Sequence, residues 1–157
     1  MTSKIKFGII GCSTVAKKSV IPAIIQSKNA ELKSIGSRKE YKAKKIAKEF
    51  SCDSFGTYEE VINDDQIDAV YISLPIALQA KFALKAINAN KNVLCEKTAA
   101  YSYKEARKIV NGCKKNNVRF LEAFMFQFHP QQKKIIELLQ KNEIGKVYKS
   151  NIITKST

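Results

Sequence analysis

KIKFGIIGCSTVA, residues 4–16, changes character halfway along. Ile5, Phe7, Ile9 and Ile10 make a nearly continuous apolar run, the pattern of a strand buried on both faces of a sheet. At Gly11 the run stops and small residues take over, at Cys12, Ser13 and Ala16. A buried strand, a glycine, small residues two and five places later and then a helix together make the dinucleotide fingerprint. The first small residue permits the tight turn and the second lets backbone N–H groups approach a pyrophosphate. The third lets the helix pack against the strand with its positive end toward the phosphates. Here the series is Gly11, Ser13, Ala16, and Ser13 sets an Oγ where a ligand comes closest.

Beyond this stretch, strands alternate with helices. After Ala16 a short helical segment is expected to break before Pro22, which lacks an N–H, and to restart from Pro22 to about Gln26. Leu32 to Gly36 reads as a second strand, followed by Ser37, Arg38 and a helix over Tyr41 to Phe50. Ala43, Ile46, Ala47 and Phe50 share one face of that helix and lysines occupy the others. A short strand near Asp53 to Phe55, a helix over Tyr58 to Ile62 and a buried strand from Asp68 to Leu74 follow, closed by Pro75. The next helix turns Ala80, Ala83, Leu84 and Ile87 inward. Asn92 to Cys95 is the fifth strand, delivering Glu96 and Lys97 at its end. A helix over Tyr103 to Lys115 is expected to bury Ala106, Ile109, Val110 and Cys113, and Val118 to Leu121 is the sixth strand.

This alternation calls for an α/β fold, a doubly wound parallel sheet of the Rossmann kind. Ligands bind such sheets at the carboxyl ends of the strands, so Gly11, Arg38, Pro75, Glu96 and Lys97 fall along one rim. From Phe126 the pattern changes. Pro130 opens a helix with Ile135, Ile136 and Leu139 as its stripe, and Val147 to Thr154 reads as one more strand. The expected division is a dinucleotide-binding domain over 1–123, then a connecting helix over 124–157 that ends in the first strand of a second α/β domain.

The bulk numbers fit this reading. The 157 residues suit one sizeable core, 45% of them are apolar, and no apolar run reaches the length of a membrane span. The N-terminus lacks a continuous secretory h-region, so a cytoplasmic setting is expected. Cys12, Cys52, Cys95 and Cys113 contain no CxxC pair, which points to reduced thiols and to no metal site. The 28 Lys plus Arg against 14 Asp plus Glu give a net charge of +14. The lysines are spread over polar helix faces and no nucleic-acid-binding motif accompanies them, so neither nucleic acid nor membrane is expected as a partner. Arg38, with Lys42 one helical turn beyond, stands where an NAD-preferring site carries an acid for the ribose 2′-OH, so NADP is the expected cofactor, with NAD second. His129, the only histidine, reads as a helix-entry residue before Pro130.

Taken together, GIIGCSTVA, GSRKEYKA, VYISLP, VLCEKT and EAFMFQFHPQ resemble the glucose–fructose oxidoreductase / inositol dehydrogenase (Gfo/Idh/MocA) family along essentially the whole chain. Within it the match looks most like sugar-nucleotide 3-ketoreductases. The resemblance implies a Rossmann domain followed by a C-terminal α/β domain, and hydride transfer between a nicotinamide and a sugar or sugar-nucleotide carbon. It implies a catalytic Lys97, from a Glu-Lys-Pro motif in which Thr98 here replaces a proline that is usually cis. It implies a cofactor held by Gly11, Cys12, Ser13, Thr14, Val15, Ala16, Ser37, Arg38, Lys42, Leu74, Pro75, Gln79, Glu96 and Lys97. Gln79 stands where the family commonly has histidine. Most of the second domain lies beyond residue 157, so the expectation is the cofactor-binding half of an oxidoreductase, prone to self-associate. The alternatives are a non-catalytic dinucleotide-binding remnant and, more remotely, a nucleic-acid binder.

Overall fold

The computed structural model describes residues 3–150. They form two compact units that divide between Ala123 and Phe124.

The first unit is built on six strands: β1 (Ile5–Ile10), β2 (Ala30–Gly36), β3 (Ser54–Gly56), β4 (Ala69–Ile72), β5 (Asn92–Cys95) and β6 (Phe120–Glu122). All neighbours run parallel, in the order β3-β2-β1-β4-β5-β6. The chain therefore winds outward from β1 to β3, crosses back to β4 beside β1, and winds outward again. Between β1 and β4 the connections depart in opposite directions, which opens a crevice at their carboxyl ends.

Alternation along the strands separates two cores. Ile9, Ile35 and Tyr71 pack on one face with Ile21 and Ile24 of α1 (Ile21–Gln26) and with Ala43, Ile46 and Ala47 of α2 (Glu40–Glu49). Ile10, Val70, Ile72, Val93 and Cys95 face the other side. There they meet Val61 and Ile62 of α3 (Tyr58–Asn63), Ala83, Ala86 and Ile87 of α4 (Ile76–Asn88), and Ile109 of α5 (Tyr103–Asn116). Burial of such apolar side chains contributes roughly 1.5–3 kcal/mol each before entropy is set against it. Lys91, 6% exposed, donates from Nζ to the carbonyls of Asp64 (2.7 Å) and Ile67 (2.8 Å), so a buried ammonium joins the turn before β5 to the one before β4.

Three expectations are revised. The helix after Ala16 does not break before Pro22. Ala16–Val20 is a π-helical segment running straight into α1, and the Ile21 N–H reaches back to the Ala16 carbonyl. That wider turn lets the chain pass a residue that has no N–H to give. On α5 only Ile109 is buried. Val110 is 52% exposed, Ala106 is exposed and Cys113 is half-buried, because α5 packs sideways on α4 and rests on one short edge strand. Val147–Ser150 adopt no strand, and the remainder of the strand expected to Thr154 lies outside the described residues.

In the second unit a 3₁₀ turn at Met125–Phe128 leads to α6 (Pro130–Gln140). His129 caps α6, its Nδ1 accepting the Gln131 N–H at 3.2 Å, which is the helix-entry part read from the sequence. No helix among the described residues is long and apolar enough to cross a membrane.

Candidate functional site

The crevice between β1 and β4 holds a cavity of about 270 Å³. Its walls are the β1 turn (Gly11, Cys12, Ser13), the β2 exit (Ser37, Arg38, Lys39, with Lys42 on α2), the β4 exit (Ser73, Leu74, Pro75, with Leu78 on α4) and Tyr58.

Each wall is placed by bonds between strand ends. Gly11 donates its N–H to the Gly36 carbonyl at 3.1 Å, bringing the first turn beside the second. Its φ is 107°, and a Cβ there would come within 2.9 Å of both the Ser73 carbonyl and Leu74 Cδ2, so only glycine fits. The Ser37 N–H donates to Gly56 at 3.0 Å and the Ser73 N–H to Ile10 at 3.0 Å, locking the other two exits onto their neighbours. The Ser13 Oγ turns inward and accepts the Ala16 N–H at 3.0 Å. The hydroxyl thus caps the first turn of the helix.

None of the cavity-lining side chains is acidic, and three are cationic: Arg38, Lys39 and Lys42. Burial raises the Cys12 thiol above its ordinary range, partly offset by a hydrogen bond with Ser37 and by the fields of Lys17 and Lys42. Burial raises the Tyr58 hydroxyl too, against the pull of the adjacent Arg38. The arrangement suits an anion: exposed N–H groups at a helix start, a planar guanidinium and two ammonium groups.

The sequence-derived residues divide between this cavity and its surroundings. Gly11, Cys12, Ser13, Ser37, Arg38, Lys42, Leu74 and Pro75 line it together. Thr14 and Val15 are exposed on the first helical turn, and Ala16 is fully buried beneath it. Gln79 does not line the cavity. It is 3% exposed, donates from Nε2 to the Leu74 carbonyl at 2.9 Å and accepts the Cys95 thiol at 3.5 Å, so it holds the β4 exit from behind.

Glu96 and Lys97 lie farther along the same rim. The Glu96 N–H donates to the Ile72 carbonyl at 2.9 Å, and its carboxylate accepts the Tyr71 hydroxyl at 2.7 Å. Lys97 is exposed and the Lys97–Thr98 peptide is cis. The chain beyond is tied down by the Ala99 N–H, which donates to Glu122 of β6 at 2.9 Å. Lys39, Tyr58, Ser73 and Leu78 also line the cavity and escaped the sequence reading. Ser73 and Lys39 had a signal, being neighbours of Leu74 and Arg38. Tyr58 had none, since its approach depends on how α3 packs. Among the described residues no group of three or more His, Cys, Asp or Glu could hold a metal ion.

Comparison with known proteins agrees with this architecture. The model of an oxidoreductase family with an NAD-binding Rossmann fold (GFO_IDH_MocA) matches residues 5–124. A D-xylose 1-dehydrogenase (NADP(+)) of Haloferax volcanii is 39% identical over 142 residues, which are 90% of this chain and 43% of that protein. A dTDP-3,4-didehydro-2,6-dideoxy-alpha-D-glucose 3-reductase of Actinomadura kijaniata is 30% identical over 91% of this chain and 43% of its own length. Among solved structures, a 3-ketoreductase from Actinomadura kijaniata in complex with TDP-benzene and NADP superposes with a TM-score of 0.84 at 29% identity, over 89% of this chain and 44% of that one. The chain thus spans less than half the length of the relatives it matches.

Proposed function

This chain belongs to the GFO_IDH_MocA oxidoreductase family, with its NAD-binding Rossmann fold, and on that premise we propose that it is the NADP-binding half of a sugar or sugar-nucleotide oxidoreductase. The observation that carries the reading is the acid-free cavity that sets Arg38 and Lys42 beside the Gly11–Ser13 turn. In this reading Arg38 clamps the 2′-phosphate through its planar fork and Lys42 adds a point charge. The backbone of Gly11 to Ser13 would receive the pyrophosphate, with Leu74 and Pro75 as the opposite wall of the cavity. Names among the relatives support the same choice of cofactor and substrate class, since they include an NADP-dependent xylose dehydrogenase and dTDP-sugar reductases.

When bound, the nicotinamide supplies or accepts the hydride. Lys97, exposed at the end of β5, polarises the substrate oxygen and holds or delivers its proton. Glu96 would lie toward the nicotinamide end of a bound dinucleotide. The four cysteines are all free thiols, in keeping with a reducing, cytoplasmic setting.

Titration of the chain with NADPH and NADH, followed by cofactor fluorescence, tests the reading. Saturable binding with NADPH tighter is expected, and equal or tighter NADH binding would overturn the cofactor assignment. Assaying the chain with hydroxy- and keto-sugar nucleotides then separates hydride transfer from dinucleotide binding without turnover.

A further inference from the structure

Tyr71 is among the largest fully buried side chains in the protein, central in β4 between β1 and β5. It pairs in register with Leu94, so Glu96, two residues beyond Leu94 and just past the end of β5, leaves the strand on the same side. The ring fills the core while its hydroxyl reaches the rim and donates to Glu96 Oε1 at 2.7 Å. Packing alone needs only a phenylalanine here; the hydroxyl adds a fixed donor under a carboxylate. Burial first, then the hydrogen bond to Glu96 and its charge, push the Tyr71 phenol far above its usual range, so it remains a donor at any working pH.

Glu96 is thereby held at two points, by its backbone N–H on Ile72 and by one carboxylate oxygen on Tyr71. Among the described residues the other oxygen, Oε2, receives no hydrogen bond from protein. An ionised carboxylate only accepts, so what it meets at the rim must donate. The phosphates of a dinucleotide cannot do so and would be repelled. The hydroxyls of the nicotinamide ribose and the amide of the nicotinamide can.

We infer that Tyr71 is a positioning residue for the nicotinamide end of the dinucleotide, fixing the Glu96 carboxylate so that its remaining oxygen accepts from the ribose hydroxyls. This rests on the dinucleotide reading above and adds to it a residue buried in the core. A tyrosine present only to satisfy its own hydroxyl predicts a different result.

The 157-residue chain is titrated with NADPH and with adenosine 2′,5′-bisphosphate, which carries the 2′-phosphate end and lacks the nicotinamide riboside. Tyr71→Phe frees the carboxylate to turn away. Glu96→Gln keeps an oxygen for Tyr71 but replaces the free acceptor with a donor, and it sits at the rim, where folding is least at risk. Both variants are expected to bind NADPH about tenfold more weakly, the scale of one hydrogen bond to a charged group, and to bind the bisphosphate as tightly as the parent. Unchanged NADPH affinity in either variant overturns the inference, as does an equal loss for both ligands, which marks a purely structural role. If the parent chain binds neither ligand, the dinucleotide reading itself falls and the inference with it.

Discussion

Ser73 donates its hydroxyl proton to the carbonyl of Gly11 at 3.1 Å, across 62 residues of chain and entirely inside the protein. The bond fastens the exit of β4 to the turn after β1, so the two walls of the crevice hold each other. Ser73→Ala is expected to lower stability by about 1 kcal/mol, and Gly11→Ala by about 1–3 kcal/mol, because a side chain there is strained as well as crowded. Thermal unfolding measures both. A Gly11→Ala protein as stable as the parent would mean that the turn is not built as described.

Arg38→Ala should weaken NADPH binding by about tenfold or more while leaving NADH nearly unaffected, since a charge-assisted hydrogen bond contributes roughly 1.5–3 kcal/mol. Lys42→Ala should do the same more weakly, being a single flexible point charge. Paired titrations with the two cofactors check this. Equal losses for both would place Arg38 at a phosphate they share.

Lys97→Ala, made at the matching position of a full-length relative, should leave NADPH affinity intact and lower turnover on the order of 10²–10⁴-fold, the usual contribution of acid–base assistance. A variant that keeps most of its turnover would remove Lys97 from the chemistry.

The chain by itself should bind NADPH and show no steady turnover with sugar nucleotides. It spans 43% of the length of the Haloferax relative, and its Lys97 stands exposed. Failure to hold a sugar oriented there costs up to ~7–11 kcal/mol of barrier. Continuous absorbance at the nicotinamide band decides the matter, and steady turnover abolished by Lys97→Ala would make the chain a complete enzyme.

Alkaline pH should destabilise the protein. Cys95 is pushed up to about 12, chiefly by burial, with the Glu122 and Glu96 charges adding to it. The unfolded thiol ionises near its ordinary value of 9.0, so above that pH the unfolded chain binds fewer protons than the folded one. This contribution to stability is therefore whole below 9.0 and is lost as pH rises toward 12. The urea midpoint should fall across that window, and more steeply in the parent than in Cys95→Ala. Equal slopes would count against it.

Much of the fold was legible because its signals act over a few residues. The apolar run ending at Gly11, the three-and-four spacing of Ala43, Ile46 and Ala47, and the VYISLP stretch each declare their element without reference to the rest of the chain. Where a helix meets an unusual partner, the same signals misled. Ala106, Ile109 and Val110 have the right spacing for a buried face, yet only Ile109 is covered, because spacing reports that a helix has two faces and says nothing of how wide the neighbouring surface is.

By itself, then, the sequence determined the parallel α/β alternation, the position of the first turn and the placing of Arg38, Glu96 and Lys97 at strand ends, since strand exits follow from local periodicity and turn chemistry. Tertiary structure alone decided the contacts between residues distant in the chain. The Cys95 thiol donates to Gln79, and Tyr71 reaches Glu96. The last depends on β4 lying next to β5, and the bond from Ser73 to Gly11 depends on β4 lying next to β1. Hydrogen bonds act over about 3 Å, and which groups come that close is set by the order of the strands, to which residues far apart in the chain contribute jointly.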